Sequence, residues 1–180
     1  MNFLEDPDAR LMAEVAAGNL DAFENLVMRH QKSAWSFAYR FLGNAHDAED
    51  VVQEAFLRIL RAAPRYRPAA KFRTYVFSVV ANLCKDCLSK KRPVALEGAA
   101  CLRDPEPDPD GVLQARDRTA AVRSALAALP AKQRLALLLR HYEGLSYDEI
   151  AGALRTSAKA VDSLLQRARR TLQELLSDLK

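Results

Sequence analysis

The 180-residue sequence has no apolar run that could cross a membrane, since a spanning helix takes roughly 18 or more residues with few charges. Its first residues, MNFLEDPDAR, are acidic and lack the basic start and apolar block of a secretory leader. Three cysteines are an odd number and far too few for a disulfide framework. The six glycines build no phosphate-binding loop, and neither an H-E-x-x-H pair nor a nucleophile with its base is found. No segment alternates apolar and polar residues in the manner of a half-buried strand. These absences predict a soluble, cytoplasmic, non-enzymatic protein of the all-α class, with no cofactor, no metal ligand set and no membrane insertion.

What is present is helical periodicity. The chain is 49% hydrophobic and 28% charged, ample for packed cores. Phe23, Leu26, Val27, His30, Ala34, Phe37, Ala38 and Phe41 form one stripe of a long helix that Gly43-Asn44 ends. Ala48, Val51, Val52, Ala55 and Ile59 line a second helix from His46 to Ala62, stopped by Pro64. Phe72, Val76, Val79, Val80, Leu83 and Cys87 line a third, ending before Pro93, and a short helix near Asp8–Ala17 precedes all three. Residues 93–112, PVALEGAACLRDPEPDPDGV, have no period and few large apolar residues, which reads as a flexible acidic linker. Beyond it come helices at Leu113–Leu129, Ala131–Glu143 and Tyr147–Leu154. A long last helix carries Val161, Leu164, Leu165, Ala168, Leu172, Leu175, Leu176 and Leu179 as its stripe. The expected architecture is two small helical domains, residues 1–92 and 113–180, joined by the linker at 93–112.

Charge is sorted along the chain. Net charge is −6 over residues 1–57, +9 over 58–92, −4 over 93–112 and +5 over 113–180, for +4 in all. Blocks of alternating sign suggest separate surfaces for separate partners, although charge runs also serve simply as solvated faces.

Ser146-Tyr147-Asp148-Glu149 is a capping box that fixes the start of the short helix. Ile150, Ala151 and Leu154 give that helix a small apolar face. Ser157 can cap the next helix after an Arg155-Thr156 turn, and Val161 can pack back on Ala151. Short helix, tight turn and capped long helix make a helix-turn-helix, which on duplex DNA puts the second helix in the major groove. That helix would present Ser157, Lys159, Asp162, Ser163, Gln166, Arg167 and Arg170. Guanidinium groups suit phosphates and guanine edges, and Gln166 can read adenine. An ordinary helical hairpin with Arg167, Arg169 and Arg170 on a solvated face has the same pattern.

Three segments, DAFENLVMRHQKSAWSFAYRFL at 21–42, HDAEDVVQEAFLRIL at 46–60 and FRTYVFSVVANLCKDCLSKKR at 72–92, stand in an order with LPAKQRLALLLRHYEGLSYDEIAGAL and AVDSLLQRARRTL. In that order they resemble the extracytoplasmic-function sigma factors of the sigma-70 family. The resemblance implies that 46–60 is similar to region 2.2, which docks on the β′ coiled coil of bacterial core RNA polymerase. Asp47, Asp50 and Glu54 share one face there, with Gln53 and Phe56 beside them. Residues 64–92 resemble regions 2.3 and 2.4, which open the −10 element. Arg65, Arg67, Lys71, Arg73 and Lys85 would contact phosphates, and Lys90, Lys91 and Arg92 continue the strip. Tyr66, Tyr75 and Asn82 would receive unstacked bases, and Phe77 fits either that role or the core. The C-terminal part resembles region 4. By that likeness Ser157, Lys159, Ser163, Gln166, Arg167 and Arg170 bind the −35 element while a neighbouring surface meets the β flap. Asp104, Glu106, Asp108 and Asp110 in the linker would mimic RNA near its exit channel. The family also implies an anti-sigma factor as partner.

The chain departs from the family at four positions. Asp162 and Leu164 stand where Lys or Arg is common, Arg155 where the turn often has Gly, and Tyr75 where Trp is usual. Cys84 and Cys87 form a C-x-x-C, with Cys101 in the linker, but no His follows at zinc spacing. Small buried thiols and a metal- or redox-sensing pair are the two readings of these residues. The alternative function, a stand-alone helix-turn-helix regulator of transcription, leaves the acidic 46–60 face without a purpose.

Overall fold

Capping side chains set the helix boundaries. Asp6 precedes Pro7 and accepts from the Asp8 amide at 3.1 Å, starting α1 (Pro7–Ala16). Asn19 accepts from the Ala22 amide to start α2 (Leu20–Leu42), and Gly43, in the left-handed region at φ 74°, closes it. Asn44 caps α3 (Ala45–Ala62), and Pro64 then tightens Ala63–Arg65 into a 3₁₀ turn. α4 (Phe72–Lys91) is capped from a distance, because Asp6 Oδ2 accepts from the Phe72 amide at 2.7 Å. One carboxylate thus holds the starts of two helices 66 residues apart. The C-terminal half carries α5 (Leu113–Ala128), α6 (Ala131–His141), α7 (Tyr147–Leu154) and α8 (Ala158–Leu175).

This structure is a computed structural model that describes residues 6–91 and 113–177, and side chains over 6–90 and 120–177. Among the described residues there is no strand, and the class is all-α. Leu179 and the segment 93–112, with Cys101 and the acidic residues assigned to a linker, lie outside the described residues. No helix is long and apolar enough to cross a membrane, and no group of three His, Cys, Asp or Glu is placed to hold a metal ion, among the described residues. Two details differ from the periodicity. α6 stops at His141, two residues early, and Leu175 at the end of the last stripe is 49% exposed.

The N-terminal core joins α1, α2, α3 and α4 around Met12, Leu26, Phe37, Phe41, Ile59, Phe72 and Val76, all fully buried. Phe37 and Phe77 meet edge to face at 5.4 Å. His30 is buried as well. Its Nε2 lies 2.7 Å from Asp8 Oδ2 while Arg29 takes the other oxygen at 2.6 Å, which ties α1 to α2. Cys84 is fully buried on α4, where burial pushes its thiol pKa up and makes it a poor nucleophile; Cys87 is half-buried.

The two halves do not stand apart. Phe72, Val76 and Val80 on one side of α4 and Phe77, Ala81 and Cys84 on another are all buried, since α4 packs against α2 and α3 and also against α7. Buried residues of both halves, with Leu138, Leu139, Ile150, Val161, Leu165 and Ala168 from the C-terminal side, form one connected cluster. At the junction Arg134 is buried, with its Nη1 donating to the Phe41 carbonyl at 2.8 Å. Its Nη2 donates to the carbonyls of Ala127 and Leu129, and its guanidinium lies 5.1 Å from the Phe41 ring centre. Burial lowers the pKa of Arg134, yet a guanidinium stays charged, so these carbonyls are what make its burial tolerable.

Replacing Arg134 by Leu strands three carbonyl ends. It should cost about 3 kcal/mol and lower the melting temperature by roughly 6–12 °C, read by calorimetry. An unchanged melting temperature would show that the junction is not held this way.

Candidate nucleic-acid interface

The helix-turn-helix is assembled from its turn outward. Glu149 accepts from the Ser146 amide at 2.8 Å while Ser146 Oγ accepts from the Glu149 amide at 3.2 Å, completing the capping box. Arg155 then adopts φ 51° and ψ 57°, the left-handed conformation. The Thr156 amide donates to Ala151 O and the Arg155 amide to Gly152 O, so α7 ends in a Schellman motif built on a non-glycine residue. The arginine is therefore accommodated where the family often has Gly, at a backbone strain of about 1 kcal/mol. Ser157 Oγ accepts from the Ala160 amide and starts α8, so this hydroxyl serves first as a cap.

α8 buries Val161, Leu165 and Ala168 and exposes Lys159, Gln166, Arg167 and Arg170. Ser163 donates to the Lys159 carbonyl at 3.1 Å, and Gln166 Nε2 donates to Asp162 Oδ2 at 2.9 Å. Asp162 thus orients the Gln166 amide along the helix. Arg170 stands 3.9 Å from Glu174, an exposed pair that a phosphate can replace at little cost.

Around the start of α4, Arg65, Arg67 and Lys71 are exposed. Between them the Tyr66 ring lies 5.2 Å from Tyr75 and 6.1 Å from Phe72, so the two predicted base-receiving tyrosines do share one aromatic cluster. Burial, with Asp6 nearby, pushes the Tyr66 phenol up to about 12, and its buried hydroxyl finds no partner; burial also raises Tyr75. Asn82 is half-buried and Lys85 exposed. Phe77 belongs to the core, against Phe37, with the Arg73 guanidinium 5.3 Å from its ring centre. Arg73 is engaged within the chain, its Nη1 donating to the Glu143 carbonyl at 2.6 Å and its Nη2 to the Glu143 carboxylate at 2.7 Å. Burial raises the Glu143 pKa, and Arg73 opposes that rise.

On α3, Asp50 and Gln53 are exposed and Asp47 and Glu54 half-buried. Asp50 lies 3.4 Å from His46, and Arg58 donates to Glu54 at 2.6 Å, which holds the Glu54 carboxyl below its ordinary value. Phe56 departs from the expectation of a docking residue. It is 6% exposed and packs edge-on to Phe23, because its position follows the buried Ala55 rather than the acidic face. The face has a member that the spacing could have revealed. Leu57 is 45% exposed and follows Asp47, Asp50 and Glu54 at i+10, outside the buried stripe.

The turn carries a direct test. Arg155→Gly removes the left-handed strain and should stabilise the chain by about 0.5 kcal/mol in urea unfolding, part of the relief being offset by unfolded-state entropy. A loss of stability would mean that the arginine side chain holds the turn.

Comparison with known proteins assigns these elements. The Sigma-70 region 2 family matches residues 26–94 and the Sigma-70 region 4 family residues 119–172. The RNA polymerase sigma-H factor of Pseudomonas aeruginosa is 30% identical over 97% of this chain and 96% of its own length. The ECF RNA polymerase sigma-E factor of Escherichia coli is 29% identical over 96% of this chain and 95% of its own. Among solved structures, CnrH in complex with the cytosolic domain of CnrY aligns with TM-score 0.74 and 30% identity, covering 95% of this chain and 97% of that one. Two helical halves, a capped helix-turn-helix and these full-length likenesses together place the chain among the extracytoplasmic-function RNA polymerase sigma factors, the alternative sigma factors of the sigma-70 family.

Proposed function

We propose that this sigma factor divides its tasks among the three surfaces just described, with residues 1–92 as one domain, 113–180 as the other and 93–112 as their linker. The α3 face of Asp47, Asp50, Gln53, Glu54 and Leu57 docks on the β′ coiled coil of core RNA polymerase. Carboxylates flanking an exposed leucine fit a partner helix that bears arginines and some apolar surface. The existing His46–Asp50 and Arg58–Glu54 pairs do not hinder this, since exposed pairs contribute little and exchange readily.

The strip of Arg65, Arg67, Lys71, Arg73 and Lys85 tracks the separated −10 strand, with Tyr66, Tyr75 and Asn82 receiving bases. Stacking on aromatic faces is worth about 1–3 kcal/mol per base, enough to offset part of the unstacking cost. Ser157, Lys159, Ser163, Gln166, Arg167 and Arg170 meet the −35 duplex, and a neighbouring surface of the same domain meets the β flap. The work takes place in the cytoplasm, without enzymatic chemistry of the factor's own, and an anti-sigma factor is the expected inhibitor. The observation that carries the reading is the exposed acidic α3 face beside a basic α4, on a chain whose relatives are sigma factors throughout their length. A stand-alone regulator has no need of that face.

Asp50→Arg should weaken association with bacterial core RNA polymerase by roughly tenfold or more while leaving duplex DNA binding intact, measured by fluorescence anisotropy. Unchanged association would remove α3 from the docking surface.

A further inference from the structure

The C-terminal half sits on the side of α4 that the separated strand requires. Lys71, Thr74, Ser78, Asn82 and Lys85 stand at i, i+3, i+7, i+11 and i+14, one face of the chain there. Three of them reach across. Thr74 Oγ1 donates to Glu149 Oε1 at 3.4 Å, Lys71 Nζ stands 3.9 Å from the same oxygen, and Ser78 Oγ donates to the Ala153 carbonyl at 3.2 Å. On the flank, Arg73 grips both the carbonyl and the carboxylate of Glu143, a side chain only 5% exposed. Arg40 lies over the Tyr142 ring at 4.2 Å and closes the other edge of the contact.

A carboxylate and a phosphate ask the same donors for the same kind of hydrogen bond. A cation that holds one is not available to the other. Lys159, Gln166, Arg167 and Arg170 on α8 make none of these cross-contacts and stay exposed. We infer that Glu143 and Glu149 form an internal latch over α4, so that the free chain offers α8 to duplex DNA but withholds α4 from a separated strand until its two halves part. The inference rests on the assignment of α4 to that strand. Its donors remain partly in water, Arg73 at 42% and Lys71 at 60% exposure, so each pair is weak and the latch is reversible. Masking of this kind lowers the apparent affinity by the fraction of open chains.

The test compares the full-length wild type with Glu143→Gln, which removes the charge opposite Arg73, and Tyr142→Ala, which removes only the edge contact. Hydrogen–deuterium exchange is followed over residues 71–90 and 143–154, together with binding of a fluorescent random-sequence single strand and of a random-sequence duplex. Both variants should exchange faster in those two segments. Glu143→Gln should bind the single strand at least about fivefold more tightly, Tyr142→Ala less so, and duplex binding should be unchanged. Exchange that stays at the wild-type rate in both variants overturns the latch, and so does faster exchange with no gain in single-strand binding. Association with core polymerase is measured on the same samples. Its failure would sink the polymerase-docking reading, while the exchange rates would still judge the latch.

Discussion

A helix buried on two sides has no spare face, and α4 is in that position. Phe72, Val76 and Phe77 complete the N-terminal core, while Thr74 and Ser78 bond to α7. The rest of the architecture follows from satisfying both sides at once. Asp6 reaches back along the chain to cap the helix, α1 is held in place by the Asp8–His30 contact, and Arg134 fills the corner where α2, α5 and α6 meet. Small hydroxyl side chains on the α7 side allow a close approach that larger residues would prevent, and leave a contact that polar rearrangement can undo.

Function then becomes a competition for donors. A sigma factor must bind nucleic acid tightly only in the right place and at the right time, and the cheapest control is to occupy the cations beforehand. The charge blocks along the sequence supply the means, because each basic surface has an acidic partner within the same chain. The acidic α3 face lies outside this exchange. Its carboxylates pair only with neighbours on their own helix, His46 and Arg58, so docking on a partner does not wait for the halves to separate.

The helices and the helix-turn-helix were legible because apolar spacing and capping residues are local signals. Ser146, Glu149, Ser157 and the stripe of Val161, Leu165 and Ala168 act within a few residues of one another. The junction was not legible. Thr74 and Ser78 look like the wet side of a helix, Glu143 like a loop charge, and nothing local says that either meets a partner about 70 residues away. Phe56 illustrates the same limit at short range, since one helical step of 100° decides whether a residue adjoining an acidic face joins it or the core. Leu57, exposed on that face, was the overlooked counterpart. Arg155 shows a local rule overridden, a left-handed turn held by the Schellman hydrogen bonds without glycine.

The most direct measurement is the distance between the two halves, followed by energy transfer between dyes placed at exposed Gln31 on α2 and Gln173 on α8. The account predicts high transfer in the free chain, a fall when core RNA polymerase is added, and a further fall with a pre-melted promoter. Equal transfer in the free and polymerase-bound chain would contradict it, because α4 would then serve the promoter while still covered by α7.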